Sequence, residues 1–362
     1  MLQVTAQVVA YREAGKYVRL ELPRKDKIAR LFRNANWARL LDARAYDESR
    51  FRGFSQLPAT PYKTPAEQNR VVNRIVQTAL AAARDCERSE IRAFEWALNE
   101  VTDNVLVHAR SKTGGLVQMN YSPQSGHIRF VVAVAGVSIP ATLRDAFPEI
   151  TSDSEAIDRA LREGVTRDKS IGQEDGLFGT YEICQKGAGT FVVDSRYAYA
   201  VYEPASGLHI RDQQVKYDGT LVSAELDFSV PGLLEDALQI SGSVRTPIDF
   251  IETHYATPDG SELTVAVASE ATSLGSRAAG EPIRRRLETL ARIGGKRVVI
   301  DFQGVPLVSS SFADEVVAKL FVTFGPPEFM QKFELRNVDP LVRELVDKAI
   351  RQRSKTGNTQ TS

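Results

Sequence analysis

Ala97-Leu98-Asn99-Glu100-Val101-Thr102-Asp103-Asn104-Val105-Leu106-Val107-His108-Ala109 carries two patterns at once. Counted from Phe94, the apolar residues Leu98, Val101 and Val105 follow at spacings of 4, 3 and 4, the repeat of a helix with one face in a core. Glu100, Asn104 and His108 recur at every fourth position. At about 100° per residue they drift only about 40° per step, so they form a polar stripe beside the apolar one. A carboxylate next to a carboxamide on the edge of a buried face suits a general base beside a magnesium ligand, because hard cations take oxygen donors. The same stripe also suits an ordinary solvated helix face, and the neighbouring segments must separate the two readings.

Three glycine-bearing segments follow in order. Val132-Ala133-Val134-Ala135-Gly136-Val137-Ser138-Ile139-Pro140 reads as an apolar strand ending in a glycine turn. Gly164-Val165-Thr166 then precedes Gly172-Gln173-Glu174-Asp175-Gly176-Leu177-Phe178-Gly179, a glycine-spaced loop that opens a helix through Ile183. Such loops present backbone N–H groups to phosphate, and a helix N-terminus adds a favourable dipole. Asp218-Gly219-Thr220-Leu221-Val222 leads into a further strand. Each loop alone reads as a plain turn. A helix and three loops in this order are far more specific.

On these residues the chain from about 65 to 230 resembles the GHKL ATPase superfamily, which groups gyrase-type ATPases, histidine kinases and anti-sigma-factor serine kinases. Ala97 to Ala109 looks like the N box, Glu-x-x-x-Asn with the trailing His-Ala of the serine kinase-like branch. Val134 to Ile139 sits where the first glycine box, Asp-x-Gly-x-Gly-Ile, belongs; Gly172 to Gly179 matches the lid and Gly219-Thr220 the closing element. The resemblance implies a two-layer α/β sandwich of the Bergerat type that binds ATP and Mg2+. It implies Glu100 as the catalytic base, Asn104 as the metal ligand, and Gly136, Gly172, Gly176, Leu177, Gly179 and Thr220 around the nucleotide.

The sequence departs from that pattern in three places. Val134 replaces the aspartate that accepts a hydrogen bond from the adenine amine, Ser138 replaces the second glycine of its box, and Glu174 stands where the lid has a glycine. Valine accepts no hydrogen bond, and a buried unsatisfied amine costs about 1 to 3 kcal/mol, about ten- to hundredfold in affinity. Glu174 adds negative charge near the phosphates. Two function classes therefore stay open: an ATP-dependent serine kinase or ATPase-type switch, and a non-catalytic interaction scaffold with a decayed pocket.

Farther out, the last hundred residues alternate strand and helix: Leu263 to Ala268, Gly280 to Ile293, Arg297 to Phe302, Phe312 to Phe324, Lys332 to Arg336 and Pro340 to Arg351. That order predicts a small α/β domain with a partly parallel sheet. Gly275-Ser276-Arg277, the strand Arg297 to Val305 and Ser309-Ser310-Ser311-Phe312-Ala313-Asp314-Glu315 resemble the STAS-like domain that often follows GHKL modules, a distant likeness of anti-sigma-factor antagonists. The resemblance implies Ser310 and Ser311 as candidate phosphoacceptors. The same serines also suit simple capping of the following helix.

The expected organisation is an N-terminal extension over 1–60, with a strand pair at Val4 to Ala10 and Tyr17 to Leu22 and a helix from Ile28 toward Leu41. A GHKL-type domain over 61–230, a linker over 231–262, a STAS-like domain over 263–351 and a polar, unstructured tail over 352–362 follow. Thr64-Pro65-Ala66-Glu67 is a capping box that opens a helix to about Arg84. Strands are expected at Leu116 to Tyr121, His127 to Val134, Thr190 to Asp194, Tyr197 to Tyr202 and Leu221 to Phe228.

Composition bounds the remainder. The chain of 362 residues balances 46 Lys+Arg against 46 Asp+Glu, which gives no overall field drawing it to nucleic acid or anionic membranes. Its apolar stretches are strand-sized, Cys86 and Cys184 form no motif, and the start shows no signal-peptide pattern, so the expected location is the cytoplasm. No Gly-x4-Gly-Lys-Ser/Thr, His-Glu-x-x-His, Gly-x-Ser-x-Gly or Cys-x-x-Cys motif is present. The expected partner is another regulatory protein, co-encoded with this one, and a homodimer is compatible with the pattern.

Overall fold

The computed structural model describes residues 1–49, 51, 55–83, 86, 88–162, 176–228, 239–240, 243–244 and 250–357. The chain divides into two compact units, Met1–Val76 with Ser89–Pro247, and Gln77–Arg88 with Ile248–Ser362. The fold is mixed α/β, with an antiparallel sheet in the first unit and a small α/β domain in the second.

Along the chain, α1 (Leu2–Glu13), α2 (Asp26–Asn34) and α3 (Trp37–Leu41) precede β1 (Gln56–Tyr62), α4 (Pro65–Ala82) and α5 (Arg88–His108). Next come β2 (Gly115–Ser122), β3 (His127–Ala135), α6 (Ile139–Ala146), α7 (Asp153–Ala160) and α8 (Gly176–Lys186). A long hairpin of β4 (Phe191–Glu203) and β5 (Gly207–Asp227) follows. The five strands lie in the order β1-β2-β3-β5-β4, every neighbouring pair antiparallel.

Side chains alternate between the two faces of a strand, which separates Phe130, Val132 and Val134 of β3 from Val131 and Ala133. The first face receives α5: Phe94 packs edge-on to Phe130 and Phe228, with ring centroids 5.6 and 5.9 Å away. Phe94, Leu98, Val101 and Val105 are all buried, as their spacing predicts. The second face is covered in part by α1 and α3. Leu2 and Ala6 cluster with Ala59, Leu116 and Ala133, and the Trp37 indole N–H donates to Gln118 Oε1 at 2.9 Å.

Several local expectations change. Val4 to Ala10 is helix, because Leu2, Thr5 and Ala6 share one helical face and are buried there, and 17–22 forms no strand. The helix expected through Leu41 breaks at Asn36, which takes φ 65° and donates from its carboxamide to Ala59 O at 2.9 Å. β1 gave no strand signal because it carries Pro58 and Pro61; as an edge strand it tolerates them. The gap expected between Asp194 and Tyr197 is a bulge inside a continuous β4, with the register slipping around Arg196 at φ 54°.

Two short strands, β6 (Gln239–Ile240) and β7 (Ser243–Val244), pair before the second unit. That unit contains α9 (Phe250–Tyr255), β8 (Glu262–Ala266), α10 (Val267–Glu270), α11 (Arg277–Ile293), β9 (Arg297–Asp301) and α12 (Ser310–Ala313). A π-helical turn (Asp314–Ala318), α13 (Lys319–Lys332, broken at Gly325, which takes φ 73°), β10 (Phe333–Arg336) and α14 (Pro340–Gly357) complete it. Its strands are parallel in the order β10-β9-β8, and Val298, Val299 and Ile300 of the central strand are fully buried. Parallel neighbours require the crossover helices that the alternating pattern predicts. In the stretch expected to be a linker, α9 buries Phe250, Ile251 and Tyr255. Helix α14 passes Arg351, its expected end, and runs on to Gly357; within the added turn Arg353 Nη2 donates to Asp314 Oδ2 at 2.8 Å.

Candidate functional site

Glu100, Asn104 and His108 are each half-buried on α5, which sets them apart from a solvated helix face. Beside them the first unit opens into a cavity with about 990 Å³ of empty space, open solvent at its mouth included. Helix α5 contributes Val101, Asn104, Val105 and His108 to the wall. The sheet contributes Val132, Val134, Thr220 and Val222; Thr142, Leu143 and Ala160 close another side, and Gly176, Leu177 and Phe178 bring in the start of α8. No Lys, Arg, Asp or Glu among the described residues lines it. An apolar cavity with a few convergent polar groups is the usual form of a small-molecule site.

The walls meet through backbone contacts that only small residues allow. Val137 N–H donates to Ala109 O at 2.7 Å and Gly136 N–H to Asp218 O at 3.2 Å, which ties the turn after β3 to the end of α5 and to the start of the closing segment. A methyl group at Gly136 would run into Ala109 O, and one at Gly219 into Val134 O. Ser195, fully buried at the β4 bulge, fastens the corner. Its hydroxyl donates to Gly219 O at 2.8 Å, shares a hydrogen bond with Thr220 Oγ1 at 2.9 Å, and accepts from Ile139 N–H at 3.2 Å. Tyr217 donates its hydroxyl to Val134 O at 2.7 Å, and burial raises its pKa so that it stays protonated as a donor.

Asn104, Gly176, Leu177 and Thr220 line the cavity. Gly136 forms the turn at its edge, and Gly179 is buried one turn inside α8. Glu100 does not line the cavity; it lies directly behind Gly176, where an added methyl would collide with its Oε2 and come within 3.3 Å of its Cβ and Cδ. Gly172 and Glu174 lie outside the described residues. Ser138, in the place of a glycine, is the N-cap of α6: its hydroxyl accepts from Ala141 N–H at 3.3 Å. Val134 is buried and paired on both sides in the sheet, so the cavity wall offers a valine side chain where an acceptor was the pattern.

Among the residues the sequence did not single out, Thr142 and Phe178 reach the cavity and Ser195 and Tyr217 support it. Ser195 and Tyr217 are placed by the bulge and by pairing between distant strands, for which a single sequence has no local signature.

Mg2+ bound with a nucleotide takes most of its ligands from phosphate and water and needs one or two oxygens from protein. Asn104 fits that limited part, and among the described residues no cluster of three or more His, Cys, Asp or Glu side chains would hold a metal alone.

In the second unit, Ser309 is the N-cap: its Oγ accepts from Phe312 N–H at 3.0 Å and meets Ser311 Oγ at 3.0 Å. Ser310 is exposed and Ser311 half-buried. One turn on, Glu315, 1% exposed, accepts from Arg284 Nε at 2.9 Å and Arg277 Nη1 at 3.2 Å and pairs with Lys319 at 2.5 Å.

Residues 279–343 match the family model of a STAS-like domain of unknown function (DUF4325). The C-terminal domain is STAS-like. The match covers α11, β9, the serine-capped helix, β10 and the start of α14, which is the region where Ser309 to Glu315 are packed. No curated protein matches the chain. None of the described helices is long and apolar enough to cross a membrane.

Proposed function

We propose that the protein is a regulatory switch of two modules, a GHKL-type module whose cavity takes ATP with Mg2+ and the STAS-like domain, acting together as a serine kinase or ATPase-type device. The observation that supports this reading best is the meeting of the α5 polar stripe with the Gly136 turn, the start of α8 and the Gly219-Thr220 corner around one cavity. The apolar walls suit a purine ring. The N-terminus of α8, at Gly176 and Leu177, offers N–H groups and a favourable dipole to phosphates. Asn104 holds the metal, and Glu100 accepts a proton from an attacking serine hydroxyl or water. Bound, the metal would neutralise charge on the phosphates. Ser310 and Ser311 are the candidate acceptors within the STAS-like domain, since Ser309 alone makes the cap.

Val134 favours a second reading, a non-catalytic scaffold that keeps the cavity and has lost nucleotide turnover. Calorimetry with ATP, with and without Mg2+, separates the two. The kinase reading expects weak, magnesium-dependent binding that tightens about ten- to hundredfold in Val134→Asp. Absence of binding in both proteins supports the scaffold, and submicromolar affinity in the parent overturns the role given to Val134. Incubation with ATP and Mg2+, followed by peptide mass spectrometry, tests Ser310 and Ser311; phosphate at neither, alone or with co-encoded proteins, removes them as acceptors.

A further inference from the structure

The first unit has a second recess, with about 1400 Å³ of empty space including open solvent, bounded by the ends of α1 and α3, the end of β1 and the Thr113-Gly114 turn. Five cationic side chains line it, Arg12, Lys16, Arg39, Arg44 and Lys63, against the two carboxylates Glu13 and Asp42, an excess of three positive charges. The whole chain balances 46 against 46, so this excess is local.

Asp42 offsets one of these charges, its carboxyl being held below the usual carboxylate range by the Leu20 N–H first and by Arg12 among the other causes. The carboxylate is buried and accepts N–H bonds from Leu20 at 3.3 Å, Arg44 at 3.2 Å and Ala45 at 3.3 Å, and these hold its charge within the loop. Arg12 and Arg39 have structural duties: they donate to Leu40 O at 3.2 Å and to Ala43 O and Tyr46 O, carbonyls around the C-terminal end of α3 where a cation complements the helix dipole. The carbonyls carry no counter-charge, so Asp42 offsets Arg12 while Arg39 keeps its charge. Lys16, Arg44 and Lys63 are exposed, and none of their three charged groups is ion-paired among the described residues, although the Lys63 backbone N–H donates to Glu67 Oε2 at 2.7 Å; Lys16 lies over the Tyr11 ring at 4.7 Å. Val9, Val18, Leu40 and Leu116 supply apolar wall. A concave site of one sign focuses its field on an oppositely charged ligand.

We propose that this recess binds a small phosphate-rich anion with an apolar or aromatic body, of nucleoside diphosphate or triphosphate size, with the phosphates held by Lys16, Arg44 and Lys63. Its volume and mixed lining fit a compact ligand. The balanced net charge argues against a nucleic-acid track, which gains affinity by neutralising many phosphates along a strand.

Sodium tripolyphosphate without magnesium is the probe, titrated into the full chain by calorimetry. It lacks a base, and the first cavity offers phosphates the backbone N–H groups of α8 and, among the described residues, no Lys or Arg, so a loss in cation variants of this recess is independent of the nucleotide reading for the first cavity. The expected result is saturable binding that weakens as salt rises and drops about tenfold or more in the triple variant Lys16→Ala, Arg44→Ala, Lys63→Ala. A nucleoside triphosphate should bind more tightly than tripolyphosphate. All three substituted side chains are exposed, so matching thermal melts establish that the triple variant is folded. The proposal is overturned by absence of saturable binding in the parent or by unchanged binding in the folded triple variant. Preference for a short single-stranded oligonucleotide over the small anions overturns it too.

Discussion

Glu100 and Asn104 sit four residues apart on one helix, yet they meet the cavity differently, and that difference makes their roles separable. Asn104 lines the space directly, whereas Glu100 is reached past Gly176. On the kinase reading, Asn104→Ala weakens the magnesium-dependent part of ATP binding. Glu100→Ala leaves binding in place and stops turnover, because proton abstraction is needed only in the chemical step. Equal turnover by both variants and the parent would remove both assignments. Gly176→Ala provides a third test. The added methyl meets the Glu100 carboxylate oxygen first and comes within 3.3 Å of its Cβ, so the variant should fold with the Glu100 carboxylate displaced. Turnover measured beside a thermal melt should fall with little change in melting. Gly136→Ala is the contrasting variant: its methyl meets the fixed backbone oxygen of Ala109, and overpacking of that kind costs on the order of 1 to 3 kcal/mol, read as a shift of the urea midpoint.

At the scale of elements, Ser138 shows how a departure from a motif is compensated locally. As N-cap of α6 it satisfies Ala141 N–H, so Ser138→Ala should cost about 1 kcal/mol and Ser138→Gly, which restores the motif, only a few tenths. Urea denaturation of the two variants gives the comparison; an equal loss in both would mean that the hydroxyl does not act as a cap. The same scale shows what was legible in advance. Helix α5 was readable because its apolar stripe is its buried side and Asn104 and His108 of its polar stripe reach the cavity. The β2-β3 hairpin and the parallel C-terminal strands were readable from alternation and spacing, and the capping box at Thr64 is formed as predicted, with Glu67 N–H donating to Thr64 Oγ1 at 3.2 Å. Helix α1 was misread because Val4 and its alternating neighbours mimic a strand while tertiary burial selects Leu2, Thr5 and Ala6. Thr142, Leu143 and Ala160 of the cavity wall had no signal in advance, and neither had the support from Ser195, which meets Thr220 only through cross-strand pairing at a bulge. The GHKL-type reading of the first unit remains a proposal, carried by residues and geometry, whereas the C-terminal domain also has its family match.

For the whole molecule, zero net charge conceals an uneven distribution, and the STAS-like domain holds a buried network of charges. Arg277, Arg284 and Lys319 converge on Glu315, while Arg353 and Arg277 hold Asp314. Bonds from Arg353 keep the Asp314 carboxyl below 3.8. At Glu315 burial pushes upward, and bonds from Lys319 and Arg284 outweigh it, leaving the group below 4.5. A carboxylate depressed on folding contributes stability that is complete above the unfolded value and is lost as pH falls through the folded one. The loss from this pair therefore begins near 4.5 and grows on further acidification. His254 acts earlier: burial first and Arg286 second hold its ring below 6.5, so protons favour the unfolded chain and stability declines once pH drops under about 6.5. The expected profile for this domain is an acid decline in two stages. Glu315→Gln keeps the shape but leaves Arg284, 9% exposed, with Glu288 as its remaining carboxylate, so the loss stays below the roughly 3 kcal/mol of an unpartnered buried charge. That variant should be less stable at pH 7, unchanged in the stage that begins at 6.5, and flatter than the parent below 4.5. His254→Gln should show the reverse, losing the upper stage alone. Thermal unfolding between pH 7 and 3 measures both, and Glu315→Gln and parent curves that run parallel throughout would place the acid sensitivity outside this network.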